Sequence, residues 1–215
     1  MLGQLYPLDF YELYSFLVDR ACSFVLLRIL KMENTKIKFI IASEESMRQL
    51  KEVGSQYLHE KYSGILPVAS IEAYNKKQFH TDRLIAYLND FSNQGIMVYV
   101  DEIPVGYAFL REEKEKPAAL ENRKSSCIVD FVIIKEYRDS GVKNVLLQKC
   151  LQLCRSYEAL WISESENAVP MLHFFKRIGF EKSGTVRNTN FSTEMVDEVL
   201  ICETIPAALL KVSGN

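Results

Sequence analysis

Apolar residues first gather at 37–42, where consecutive and largely β-branched side chains read as a short strand that stops at Ser43. Ser43, Glu44, Glu45 and Ser46 then supply an N-cap with acidic residues in the first turn. Met47, Leu50, Val53, Tyr57 and Leu58 recur at helical spacing beyond it. Gly64 and Pro67 interrupt, and a second helical region is predicted over 71–91, broken near His80. Residues 96–100 and 103–110 read as strands joined by the tight turn Asp101-Glu102, a hairpin by adjacency. The charged stretch 111–125 contains Pro117 and reads as a solvated loop. Residues 127–134 are apolar except for Asp130, the pattern of a strand buried on both faces.

Beyond Tyr137 a polar, glycine-containing turn leads into a helix whose Val145, Leu146, Cys150, Leu153 and Cys154 share one face. A strand at 159–163 and a helix at 167–177 follow. Gly179-Phe180 then turns the chain into another strand, and 195–204 closes the series. The order β-α-α-β-β-β-α-β-α-β-β carries no internal repeat and no linker. Residues 32–206 therefore read as one mixed α/β domain, with 207–215 as a C-terminal tail.

Residues 1–31 are set apart as an accessory segment. Phe10, Leu13, Tyr14, Leu17, Val18 and Ala21 recur at helical spacing, which predicts an amphipathic helix. Asp9, Asp19, Arg20 and Arg28 break the apolar run that a secretory signal or a bilayer span requires, so no membrane insertion is expected. Three accounts stay open: a helix packed on the domain or a partner, a surface anchor, or a leader absent from the working protein. Met32, just ahead of the first clear strand, could itself be a start.

Composition narrows the class. Of 215 residues, 48% are hydrophobic and 25% charged, which excludes a disordered chain, a collagen-like repeat and a disulfide-stapled miniprotein. With 26 basic against 28 acidic residues the net charge is -2, and no wholesale attraction to nucleic acid is expected. Five cysteines without a CxxC pair read as reduced thiols in a cytoplasmic protein. His59, His80 and His173 are scattered without an acidic cluster, so no metal site is expected. Tyr and Phe near the N-terminus would suit a homodimer contact.

Candidate chemistry concentrates in Arg138, Asp139, Ser140, Gly141, Val142 and Lys143. A strand that delivers a glycine turn into a helix N-terminus leaves backbone N–H groups without partners, and these donors suit a phosphate or pyrophosphate. Gly141 takes positive φ at little cost, and Arg138 and Lys143 add positive charge. Many ordinary strand-to-helix turns also carry one Gly and one Arg, so the local pattern leaves both readings open.

Residues 129–141 (VDFVIIKEYRDSG) resemble the central motif of the GNAT acetyltransferase superfamily. There a buried strand leads to Arg or Gln, two variable residues, Gly, one variable residue, and Gly or Ala. Residues 167–180 (NAVPMLHFFKRIGF) look like the family's Asn-led helix ending in Gly-Phe, and Gly106-Tyr107-Ala108 look like its "GYA" strand. The resemblance spans 37–205. It implies a GNAT-like acyl-CoA acyltransferase fold, a mixed α/β arrangement whose mostly antiparallel sheet is splayed at one strand pair and flanked by helices. It also implies an N-acetyltransferase moving acetyl directly from acetyl-CoA to a primary amine of a small molecule or protein.

Carried over residue by residue, the backbone of Ile133, Ile134 and Lys135 would pair with the pantetheine arm, and the amides from Arg138 to Lys143 would hold the pyrophosphate. Asn167 would touch the CoA arm, although it stands one residue earlier than the usual Asn; its other reading is a helix N-cap. Lys143 stands where the family has Gly or Ala, and would either crowd the phosphates or reach them as a cation. Phe175 replaces the Tyr that many members use to protonate the leaving thiolate, and reads as core or as a wall along the CoA arm.

An amine with a pKa near ~10.4 needs a base, and the developing oxyanion needs a donor, for which a backbone N–H around Ile133 serves. Asp130 is the expected catalytic base, being the one charge in its strand; the bland reading is a structural carboxylate bonding a backbone group or Tyr. His80 is a second candidate for the acceptor cleft. The alternative function is a degenerate GNAT domain that binds acyl-CoA or a protein partner without catalysis. A plain nucleotide-binding domain finds no support, since neither GxGxxG nor GxxxxGK[ST] is present.

Overall fold

The computed structural model describes residues 34–112, 115–191 and 195–214, so the accessory segment 1–31 lies outside the described residues. Seven strands, β1 (Thr35–Phe39), β2 (Asn93–Val100), β3 (Ile103–Arg111), β4 (Ser125–Ile133), β5 (Ala159–Ser165), β6 (Glu181–Asn188) and β7 (Met195–Cys202), form one sheet. Their order is β1-β2-β3-β4-β5-β7-β6. Every neighbouring pair is antiparallel except β4 with β5. The β2–β3 hairpin turns through Asp101 and Glu102 at φ 50° and 65°, the two successive positive values of a tight hairpin turn.

Helices α1 (Glu44–Tyr62), α2 (Val68–Gln78) and α3 (Thr81–Leu88) lie between β1 and β2. Ser43 caps α1 as its sequence predicts, its hydroxyl accepting from the Ser46 N–H at 3.2 Å. The break near His80 divides the second helical region into α2 and α3. Helix α4 (Val142–Leu153) follows β4, α5 (Val169–Ile178) follows β5, and α6 (Ile205–Ser213) closes the described chain. The expected tail at 207–215 is thus corrected to a helix: Ile205, Ala208 and Val212, at three- and four-residue spacing, are buried in the main core.

Cross-strand partners point to the same face of a sheet, which sorts the two sides. Phe109 pairs with Asp130 and meets the Tyr87 ring of α3, so both face the early helices. Phe131 stacks on Phe174 and Phe175 of α5, on the opposite face. Gly106 is required by the close approach of β3 to β4. A Cβ there would lie 2.3 Å from the Val132 carbonyl oxygen and 2.5 Å from Ile133 Cδ1.

Two irregularities at β4 set up the site. The β3–β4 register passes from Phe109↔Asp130 to Leu110↔Ile128, leaving Val129 as an extra, bulged residue. On the other side, β4 and β5 pair only over Ser125–Ile128 and Ala159–Ile162. Beyond that point β5 pairs only with β7 and β4 only with β3, although both strands continue. The sheet therefore opens between Val129 and Ser163, as the splay implied by the resemblance requires.

Candidate active site

The open edge of β4 runs directly into the turn that starts α4. After a single 3₁₀ turn at Lys135–Tyr137, Gly141 takes φ 82° and begins the helix without any side-chain cap. Only glycine holds that backbone conformation cheaply; another residue would strain it by about 1 kcal/mol or more. Ser140 spends its hydroxyl on the Tyr137 carbonyl at 2.7 Å, and Val142 is buried. The Ser140 N–H also donates to the Tyr137 carbonyl at 3.2 Å and the Arg138 N–H to the Lys135 carbonyl at 3.3 Å, so the donors left for a ligand lie at the start of α4, where Val142 can offer only its backbone.

A groove of about 390 Å³ lies beside this turn and gathers Lys135, Arg138, Asp139, Lys143 and Asn167. Its far wall comes from the end of α1, as Tyr57, Glu60 and Lys61, and from Pro170 and Met171 at the start of α5. The α1 residues were not singled out by the sequence, because on a helix they look like an ordinary half-buried face. Lys143 lies along the groove with its ammonium 5.2 Å from the centre of the Phe174 ring. Asn167 is exposed, and the N-cap of α5 is Ala168, so the capping reading of Asn167 is set aside.

Glu60 organises the groove's floor. Its Oε2 accepts from the Lys135 N–H at 2.7 Å and from Arg138 Nη2 at 2.8 Å. Arg138 Nε in turn donates to the Ile133 carbonyl at 3.0 Å. The Ile134 N–H is spent on the Val105 carbonyl of β3 at 3.1 Å. Of the backbone groups expected at 133–135 to meet a pantetheine arm, the Ile134 and Lys135 amides are thus already bonded within the protein. The unpaired edge of β4 lies one step earlier, from Val129 to Ile133.

Phe175 is also corrected. It is 0% exposed, enclosed by the rings of Phe131, Phe174 and Phe180, and belongs to the core rather than to the groove. His80 is the N-cap residue of α3, with its side chain 61% exposed and turned to Asp82.

Asp130 lies on the other face, half-buried, lining a small cavity of about 90 Å³ with Arg83, Leu84, Tyr87, Phe109 and Val129. Burial pushes its pKa up to about 6; Lys61, Arg83 and Arg111 work against that rise, and Glu164 adds to it.

Next to the opening, Lys61 of α1 pairs with Glu164 of β5, whose side chains are 19% and 5% exposed. Glu164 Oε1 also accepts from the Ser165 N–H at 2.8 Å. Burial alone would lower the Lys61 pKa, but Tyr57, Glu164 and Tyr62 outweigh it and hold the ammonium charged. Phe191, beyond β6, meets the rings of Tyr62 and Tyr74 at 4.8 and 4.7 Å, so aromatic side chains wall this side of the opening.

The family model for the acetyltransferase (GNAT) domain matches residues 55–195, well over half of the chain. The chain belongs to the GNAT acetyltransferase family. Its fold is shared with the PaiA N-acetyltransferase of Thermoplasma acidophilum, solved in complex with coenzyme A. That match has a TM-score of 0.65 at 13% identity and covers 79% of this chain and 98% of the other. A GCN5-related N-acetyltransferase from Rhodopseudomonas palustris matches with a TM-score of 0.60 at 13% identity, covering 79% and 96%. The ribosomal-protein-S18-alanine N-acetyltransferase of Escherichia coli matches with 0.53 at 9% identity, covering 78% and 92%. At these identities the likeness is one of fold, and the GNAT acceptor is not carried over with it. Four described cysteines of this GNAT chain, Cys127, Cys150, Cys154 and Cys202, are free and buried. No described helix is long and apolar enough to cross a membrane.

Proposed function

We propose that this GNAT protein transfers acetyl from acetyl-CoA to a primary amine at the opening between β4 and β5. One observation carries the reading: β4–β5 pairing ends at Ile128 and Ile162 while both strands continue, immediately ahead of a helix started by an uncapped Gly141. The free edge of Val129–Ile133 can accept an extended pantetheine arm as an added strand. The turn into α4 offers the first amides of the helix, its N-terminus and the cations Arg138 and Lys143 to a pyrophosphate. Asn167 and Lys135 border the same groove.

In the reaction the amine nitrogen attacks the thioester carbonyl, the C–N bond forms as the C–S bond breaks, and CoA leaves as thiolate. Asp130 takes the proton that the ammonium must lose before attack, its raised pKa suiting that task near neutral pH. The second proton, shed by nitrogen as the amide forms, passes to water or to the departed thiolate. A backbone N–H on the open edge near Ile133 stabilises the oxyanion. Phe175 has no proton to give, and a thiol of pKa near ~8.5 leaves as thiolate without one. Free, buried cysteines support a reducing, cytoplasmic setting.

Calorimetric titration with acetyl-CoA, with CoA and ATP as controls, tests the reading. Micromolar heat specific to the CoA compounds, abolished in Gly141→Trp, is expected; silence at high ligand concentration would overturn it. A second reading, acyl-CoA binding without turnover, is favoured by Phe175, which is buried in the core and has no proton for the leaving thiolate. Acetyl-CoA binding without acetyl transfer to any amine would select it.

A further inference from the structure

Lys61 reaches the mouth of the opening from the last turn of α1. It lines the groove beside the α4 turn, and its ammonium donates to Glu164 Oε1 on β5. The last β4–β5 pair is Ile128 with Ile162, and Asp130 and Glu164 each stand two residues beyond it. The tether to Glu164 therefore holds the ammonium at the opening, level with Asp130. Asp130 registers its presence, because Lys61 is the strongest of the charges that oppose the rise of its pKa. Tyr57 and Tyr62 of α1, Tyr74 of α2 and Asp197 of β7 also face this ammonium, and Arg138 shares the Tyr57 ring with it.

An extended arm laid on the free edge of β4 has only one direction. Its pyrophosphate end is held at the α4 turn, which follows Ile133, so the arm runs back along the edge from Ile133 toward Val129. Its reactive end then arrives level with Asp130 and beside the Lys61 ammonium. Breaking the C–S bond puts a full negative charge on sulfur at that point. Phe175, enclosed by other rings, offers the sulfur neither a proton nor a charge. A cation already fixed where charge develops needs no reorganisation at the moment of reaction, which is how such groups lower a barrier. An ammonium has three N–H donors, and Glu164 Oε1 takes one, which leaves donors for the groove that Lys61 lines.

We propose that Lys61 is a catalytic residue whose ammonium stabilises the CoA thiolate as it leaves. The amine nitrogen forms the C–N bond, the electron pair of the C–S bond stays on sulfur, and the thiolate appears beside a positive charge. Lys61 keeps its own proton throughout, so no donor is needed from α5. Glu164 is a positioning residue: it touches no substrate and holds the ammonium in place. The proposal rests on the acetyltransferase reading above.

The probes are CoA and desulfo-CoA, which differ by the thiol, so the test needs no knowledge of the acceptor. A free thiol has a pKa near ~8.5, and a fixed ammonium beside it lowers that value. The affinity of CoA relative to desulfo-CoA is therefore expected to rise about tenfold between about pH 6.5 and pH 8.5. Desulfo-CoA cancels the titration of the protein's own groups. Replacing Lys61 and Glu164 together by Met removes the ammonium without stranding a charge, and should flatten the ratio while leaving desulfo-CoA affinity as it was. Lys61→Arg should keep the rise. For any amine that turns over, the double variant is expected to lose about a hundredfold in kcat at an unchanged KM for acetyl-CoA. A flat ratio in the wild type decides against the proposal without any variant, and a rise that survives in the folded double variant does so too; either leaves the acetyltransferase reading standing. Binding of neither ligand would overturn both.

Discussion

Glu60 Oε2 lies 2.8 Å from Arg138 Nη2, placing a carboxylate on the cation that borders the helix N-terminus. The pair is half-buried, with side chains 17% and 31% exposed, so solvent screens it only partly. An anion arriving at this turn must compete with Glu60 for Arg138 and for the Lys135 amide. Glu60→Gln is therefore expected to tighten acetyl-CoA binding about tenfold at low salt, with the gain shrinking as salt rises. Arg138→Met should weaken it. Calorimetry at two salt concentrations checks both, and weaker binding in Glu60→Gln would show that Glu60 positions Arg138 rather than competing with the ligand.

Asp130 links turnover and stability to pH with opposite signs. As the proposed base it works ionised, so kcat/KM should fall as pH drops through about 6, and Asp130→Asn should lower it by roughly 10²–10⁴ and remove that inflection. For folding, the native pKa is raised above the ordinary 3.8, so the folded state holds its proton more tightly than the unfolded chain. Its stabilising effect is complete below about 3.8 and is lost as pH rises through about 6. Asp130→Asn should thus gain stability relative to the wild type at pH 8 and not at pH 3.5. Melting curves at the two pH values would settle the sign.

The Lys61–Glu164 pair is buried enough for its loss to matter. Glu164→Gln strands a half-buried ammonium beside Tyr57 and Tyr62, at a cost of about 3–5 kcal/mol. A fall in melting temperature of about 10 °C is expected. Replacing both residues with Met should recover most of it, since two apolar side chains leave no charge unpaired. A double variant as unstable as the single one would mean that the hydrogen bond from Ser165 to Glu164, not the ion pair, holds this region.

Phe175→Tyr restores the family's usual residue but not its setting. A hydroxyl there enters a ring cluster with centroids 5.2–5.4 Å apart, where the rings of Phe131, Phe174 and Phe180 give it no acceptor. A loss of about 1–3 kcal/mol and no gain in turnover are expected. A rate increase measured by thiol release would place residue 175 at the leaving group after all.

Local chemistry made much of the fold legible. The Ser43 cap, the Asp101-Glu102 hairpin and the break at His80 depend on neighbours within a few residues, and each stands as its pattern requires. Gly141 is equally local, because one positive φ at a helix start selects glycine whatever surrounds it. The helix at Ile205–Ser213 was also written in its apolar spacing, but proximity to the chain end made it read as a tail.

What periodicity could not decide was which atoms meet across the fold. Phe175 reads identically as core or groove wall until the rings of Phe131 and Phe180 close on it. Glu60, Lys61 and Glu164 are unremarkable charges in the chain, and only the crossing of α1 over the open strands brings them to Lys135, Arg138 and each other. Trp161 likewise follows the ordinary alternation of a strand. Its N–H is left without a partner only when Cys127, Val199 and Ile201 close around the indole, because a missing partner is a property of the assembled surroundings and not of the residue.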